Sequence, residues 1–98
     1  MMLSPLTKGE SLMYTKQTIV QCESGLHNKQ ATYFIQKANE FRSSIWIEVE
    51  ERRINAKSLL GVLSMGVTTG TTVTLAADGS DEEIAVNALS EMLVKDIF

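Results

Sequence analysis

Ile45-Trp46-Ile47-Glu48-Val49-Glu50-Glu51-Arg52-Arg53-Ile54-Asn55-Ala56 is the stretch that decides the fold. Ile45, Ile47 and Val49 alternate with Trp46, Glu48 and Glu50, and a period of two puts the aliphatic residues on one face of a strand. Arg52 to Ala56 is a second short strand able to pair back on the first, so the segment predicts an antiparallel hairpin. Its centre, Glu50-Glu51, lacks the Gly or Asn that a tight two-residue turn favours, which predicts a longer or irregular loop. Trp46 falls on the outward face, and no role is assigned to it.

Working outward, Thr15 to Cys22 also alternates, with Thr18, Val20 and Cys22 on one side, and predicts a first strand. Ser24-Gly25 interrupts it. From Asn28, Ala31, Phe34, Ile35, Ala38 and Phe41 recur at helical spacing, predicting a helix over about 28–40. On the other side of the hairpin, Ser58 is placed to cap a short helix carrying Leu59, Leu60, Val62, Leu63 and Met65, which Gly66 and Gly70 end. Thr71 to Ala77 is β-branched and turns Val73, Leu75 and Ala77 inward as a fourth strand. Ser80-Asp81-Glu82-Glu83 reads as a capping box, with Ser80 as the cap and Glu83 at the third position. It opens a last helix whose Ile84, Ala85, Ala88, Leu89, Met92 and Leu93 face the core. The predicted order, strand-helix-strand-strand-helix-strand-helix, is that of an α+β open-faced sandwich. Its four-stranded, mainly antiparallel sheet has helices packed on one face.

Composition bounds the chemistry. Ninety-eight residues, 44% hydrophobic and 21% charged, suit one globular domain. Residues 1–12, with Pro5 and Gly9 and no periodicity, read as a disordered N-terminal tail or an expression remnant ahead of a domain over 13–98. Nine basic against twelve acidic residues give a charge of −3 without a basic block, which argues against direct nucleic-acid binding. The lone Cys22 excludes an internal disulfide and fits a reducing, cytoplasmic setting. No apolar run is long enough for membrane insertion. No residue spacing implies a metal, and the glycines form neither a Walker nor a dinucleotide motif, so no cofactor is expected.

The single histidine, His27, directly precedes the first helix. Free amide hydrogens and a partial positive charge at a helix start suit a phosphoryl group. The same field, with Lys29, disfavours the imidazolium and predicts a His27 pKa below the ordinary value of about 6.5. A neutral ring nitrogen is a competent nucleophile. An ordinary loop or capping histidine is the competing reading of position alone.

Two spaced motifs carry a resemblance. They are Ser24-Gly25-Leu26-His27, followed by Lys29 and then Ala31-Thr32, and Asn55-Ala56-Lys57-Ser58-Leu59-Leu60-Gly61-Val62-Leu63-Ser64-Met65-Gly66. With Gly70-Thr71 and Asp78-Gly79-Ser80-Asp81-Glu82, they make residues 14–98 similar to HPr. This is the histidine-containing phosphocarrier of the bacterial phosphoenolpyruvate-dependent sugar phosphotransferase system (PTS). The resemblance implies the same βαββαβα sandwich. It implies that His27 accepts a phosphoryl group from enzyme I and passes it to EIIA proteins or domains, as a phosphohistidine intermediate rather than a stand-alone enzyme.

Asn28, Lys29 and Gln30 would stabilise the phosphate. Lys29 and Gln30 depart from the usual Arg and Pro of the family, which loses a planar two-pronged grip and adds a backbone donor. The resemblance makes Ser58 a regulatory site for an HPr kinase/phosphorylase, besides its capping role. Phosphorylated there, the chain would bind a LacI-family catabolite repressor as corepressor. Thr32, Leu59, Leu60 and Leu63 would dock partners, although each leucine reads equally as core. The alternative is a regulatory HPr-like protein acting through Ser58 in carbon catabolite repression and not as a carrier. Such paralogues typically replace the histidine, which is present here.

Overall fold

The computed structural model describes residues 13–22, 25–26 and 28–95, with only the backbone of Asn28. The element order is β1 (Tyr14–Ile19), α1 (Asn28–Ala38), β2 (Ser44–Val49), β3 (Arg52–Asn55), α2 (Leu59–Ser64), β4 (Thr72–Asp78) and α3 (Glu82–Lys95). The strands form one sheet in the order β1-β4-β2-β3, and every pairing is antiparallel. The expected fold class is therefore found. Residues 1–12 lie outside the described residues.

Alternation explains the layering. Val73, Leu75 and Ala77 of β4 and Ile45 and Ile47 of β2 are buried on the face that the helices cover. Phe34, Ala31 and Ala38 come down from α1, Val62 from α2, and Ala85, Val86, Leu89 and Leu93 from α3, to close one continuous core. Full burial stabilises by about 1.5–3 kcal/mol for each Val, Leu, Ile or Phe side chain among them. Between β1 and α3 the buried Ser90 hydroxyl donates to the Thr18 hydroxyl at 3.3 Å, so two polar groups inside the core satisfy each other.

The structure corrects several expectations. The hairpin turn is tight: Val49 pairs with Arg52, leaving only Glu50 and Glu51 between, and Glu50 takes a left-handed φ of 56°. The turn therefore forms at a conformational cost that Gly or Asn would have avoided. β1 ends at Ile19 rather than Cys22: Val20 N–H still follows the β1–β4 register, donating to Thr71 O at 2.9 Å, but Gln21 N–H turns to Leu93 O at 2.8 Å. The inward alternation of Thr18, Val20 and Cys22 nevertheless persists. α1 stops at Ala38, where the Asn39 side-chain amide donates to Ile35 O at 2.9 Å, and Phe41 packs half-buried beyond the helix.

The start of α3 differs most. Ser80 and Glu83 do not form the reciprocal cap. Instead Glu82 Oε1 accepts from Gly79 N–H at 3.0 Å while Glu82 N–H donates to Gly79 O at 3.3 Å, one residue earlier than predicted. Asp81 reaches across to the α1–β2 connection, accepting from Arg42 N–H at 2.9 Å, Ser43 N–H at 3.0 Å and the Ser43 hydroxyl at 2.5 Å. The Ser43 hydroxyl first, and then the Arg42 backbone, hold the Asp81 carboxyl down at about 2 from an ordinary 3.8, against the opposing effect of burial. Gly79 fits this contact, since a Cβ there would lie 2.6 Å from Ser43 Cα. Ile84, expected to face the core, points outward at 67% exposed, because the buried stripe of α3 runs through Ala85, Leu89 and Leu93 with Val86 beside it.

Candidate functional site

The site is built where the β1–α1 connection meets the α2–β4 connection. Gly25 has a left-handed φ of 67°, and its Cα faces the 67–68 backbone so closely that a Cβ would lie 2.3 Å from Val67 O and 2.6 Å from Thr68 Cα. Only glycine combines that φ with that approach. Around it, Leu26 N–H donates to Val67 O at 3.1 Å and Gly25 N–H to Cys22 O at 3.0 Å. The Thr69 hydroxyl also donates to Cys22 O, and Gly70 N–H donates to Val20 O at 2.7 Å. Buried Leu26 thus anchors the chain two residues before Asn28, the first residue of α1. His27 lies outside the described residues, as does the Asn28 side chain.

The other predicted phosphate-stabilising residues sit in the first turn of α1. Lys29 is exposed, with its ammonium 6.0 Å from the centroid of the Tyr33 ring, and Gln30 is half-buried. Its charge therefore leans along the helix over an aromatic face, a contact that sequence spacing of three to four residues permits. Thr32 is exposed on the same helix, next to Tyr33.

Ser58 caps α2. Its extended backbone (φ −103°, ψ 113°) and its Oγ, which accepts from Gly61 N–H at 3.1 Å, are the features of an N-cap. The preceding turn is closed by Asn55, whose Oδ1 accepts from Lys57 N–H at 2.8 Å and whose carbonyl accepts from Ser58 N–H at 3.1 Å. Gly61 lets the helix lie close on β3, since a Cβ there would meet Ile54 Cγ2 at 2.6 Å. Arg52 grips the far end of α2, donating from Nη1 to Ser64 O at 3.4 Å and from Nη2 to Ser64 Oγ at 3.3 Å. Of the apolar residues, Val62 is buried and Leu63 half-buried. Leu59 is 41% exposed and Leu60 81% exposed, a large apolar exposure for so short a helix. α1 and α2 are in contact, and Lys57, next to Ser58, donates to Phe41 O just beyond the C-terminal end of α1.

Three features of this region had no local signal in the sequence. The close approach of Gly25 to Val67 joins positions far apart in the chain, so only the isolated glycine hinted at it. Tyr33 falls off the apolar stripe of α1 and is 40% exposed. Trp46, read as without a role, carries the Arg53 guanidinium 4.4 Å from its ring centroid, with Glu48 paired to Arg53 at 3.3 Å. Among the described residues no helix is long and apolar enough to cross a membrane.

Comparison with known proteins agrees with this geometry. A family model for the PTS HPr component phosphorylation site matches residues 14–95. The HPr-like protein Crh of Halalkalibacterium halodurans is 39% identical over 84 residues, spanning 86% of this chain and all of that protein. Crh of Bacillus subtilis is 36% identical over 85 residues, spanning 87% of this chain and all of that protein. The crystal structure of the phosphocarrier protein HPr from Bacillus anthracis superposes with a TM-score of 0.82 at 36% identity, over 84% of this chain and 98% of the other. Motifs, strand order, helix placement and relatives coincide, and the chain belongs to the HPr family.

Proposed function

We propose that the chain is a phosphoryl carrier, with His27 as the acceptor. The observation that supports it best is the histidine itself, in the sequence Ser24-Gly25-Leu26-His27, bracketed by the anchored Leu26 and the first residue of α1. A ring nitrogen forms a new bond to phosphorus as the bond to the donor, enzyme I, breaks; the reverse exchange delivers the group to an EIIA protein or domain. Such a step needs positioning and charge stabilisation more than covalent machinery. Backbone amides at the start of α1, with Asn28, Lys29 and Gln30, supply the stabilisation. Thr32, Leu59, Leu60 and Leu63 form the docking surface, in keeping with the exposure of Leu59 and Leu60. Ser58 is the regulatory acceptor for an HPr kinase/phosphorylase, where a phosphate adds about −1.5 to −2 charge beside that surface.

Incubation with enzyme I and radiolabelled phosphoenolpyruvate, with His27→Ala as control, tests the proposal. Acid-labile label on the native chain and none on the variant is the expected result. An unlabelled native chain overturns the carrier reading.

A second reading is favoured by the full-length similarity to two Crh proteins and by Lys29-Gln30 at the places where an Arg and a Pro are usual. Here the chain acts in catabolite repression through phosphorylated Ser58, binding a LacI-family repressor. ATP-dependent phosphorylation of Ser58 by the kinase, with repressor binding and no transfer from enzyme I, is its signature.

A further inference from the structure

We infer that a second, separate site on this protein binds a phosphate dianion, free or as a small phosphate monoester, in the cleft between the α1–β2 connection and the β2–β3 hairpin. The cleft has a volume of about 160 Å³ and is lined by Arg42, Ser43, Ser44, Ile45, Trp46, Asn55 and Lys57. Two cations and no carboxylate line it, in a chain whose formal charge is −3. Positive charge is therefore concentrated here against the average of the molecule.

The polar groups of the cleft are donors with capacity to spare. Among the described residues the Arg42 guanidinium and the Ser44 hydroxyl have no protein partner. Asn55 uses Oδ1 to accept from Lys57 N–H, which leaves its side-chain N–H₂ uncommitted. The Lys57 ammonium is fixed by one hydrogen bond to Phe41 O at 2.8 Å, so it is held in place with two of its three donors left over. Of the neighbouring acids, Asp78 stands across the sheet from Ser44 without lining the cleft, and Asp81 is already committed: Oδ2 accepts from Arg42 N–H and Oδ1 from Ser43 N–H and Oγ–H. That clasp sets the backbone of Arg42 and Ser43 without neutralising the guanidinium. A fork of donors on a rigid frame suits a tetrahedral oxyanion. The indole of Trp46, pinned by Arg53, supplies an apolar wall for the organic part of a monoester. Asn55 and Lys57 also build the turn that carries Ser58, so an occupant would rest against that turn.

Trp46 is the only tryptophan of the chain, which makes its fluorescence a direct readout. Titrations with inorganic phosphate and with glycerol phosphate, at constant ionic strength and pH 7.5, are expected to give a saturable change. Arg42→Gln should weaken it about tenfold, the usual effect of losing a charge-assisted contact. Lys95→Gln removes the same charge from the distant end of α3 and should leave it unchanged. Equal binding of both probes assigns recognition to the phosphate group alone, and tighter binding of the ester assigns part of it to the indole wall. The inference is overturned if neither probe gives saturation up to 20-fold above millimolar levels, or if Lys95→Gln weakens binding as much as Arg42→Gln.

Discussion

Replacing Gly25 by alanine isolates the contact on which the candidate site is built. The new Cβ would start 2.3 Å from Val67 O, whereas a carbon and a carbonyl oxygen rest at about 3.3 Å or more, so the two backbones must separate by about 1 Å. That movement stretches the 3.1 Å hydrogen bond from Leu26 N–H to Val67 O beyond useful length, at a site where Leu26 is buried. Losing a buried backbone bond costs about 1–3 kcal/mol. Holding alanine at the left-handed φ of 67° adds about 1–2 kcal/mol. The sum, about 2–5 kcal/mol, is a large share of the stability of a small domain and corresponds to a melting point lower by about 8–40 °C.

Gly66 provides the internal control. It has nearly the same φ, 64°, but a Cβ there meets nothing within 4 Å, so Gly66→Ala carries only the conformational cost. The entropy lost by the unfolded chain on gaining a methyl group applies to both variants and cancels in the comparison. Urea and thermal unfolding of the two variants side by side provide the assay. Equal destabilisation would refute the argument that close approach, rather than φ alone, demands glycine at position 25.

Other perturbations separate the remaining parts of the structure. Ser58→Ala removes the acceptor for Gly61 N–H and is expected to cost about 1 kcal/mol in urea unfolding, whereas Ser58→Asn retains most of the cap; no difference between the two would contradict the capping role. Asp81 is held at about 2, so its clasp on Arg42 and Ser43 contributes stability that is complete above the ordinary carboxylate value near 3.8 and is lost as pH falls through 2. Asp81→Asn should therefore flatten the fall in stability between pH 4 and pH 2, and an unchanged acid limb would disprove the linkage. Leu60→Ser, at an 81% exposed position, should change stability by no more than about 0.5 kcal/mol while slowing phosphoryl exchange with enzyme I. Val62→Ala, two residues on and fully buried, should cost about 2 kcal/mol or more; if Leu60→Ser proves the more destabilising, the orientation of α2 is wrong.

The layering of the fold was legible wherever periodicity alone decides. The alternation of Ile45 and Ile47, and of Val73, Leu75 and Ala77, turned the same residues inward that the structure buries, and Ala31, Phe34 and Ala38 did so for α1. Errors arose where a distant partner overrode a local preference. Ser80 was the better local cap for α3, but Asp81 finds Ser43 nearly forty residues away, and the reciprocal contact forms between Gly79 and Glu82 instead. Glu50 is a poor turn residue, yet the register of β2 on β3 leaves room for only two residues there. The cleft of Arg42, Ser44, Asn55 and Lys57 has no sequence spacing to betray it, because the end of α1 and the hairpin meet only in the folded sheet. Within the candidate site, the helix start and the Ser58 cap were readable from residue type; the brace of the 67–70 segment behind Gly25 was not.

The strand order carries a consequence for how the polypeptide is made. Among the described residues β4 is the last strand to be synthesised, lies between β1 and β2 and is the only neighbour of β1, so the centre of the sheet closes only once residue 78 has left the ribosome. Until then the nascent chain has only the β2–β3 hairpin as paired sheet, and the first strand must wait with an unsatisfied edge for more than fifty residues of synthesis. Such long-range pairing slows folding and keeps sticky edges uncovered. The architecture thus favours folding in one late, concerted step over a progressive build from the N-terminal end.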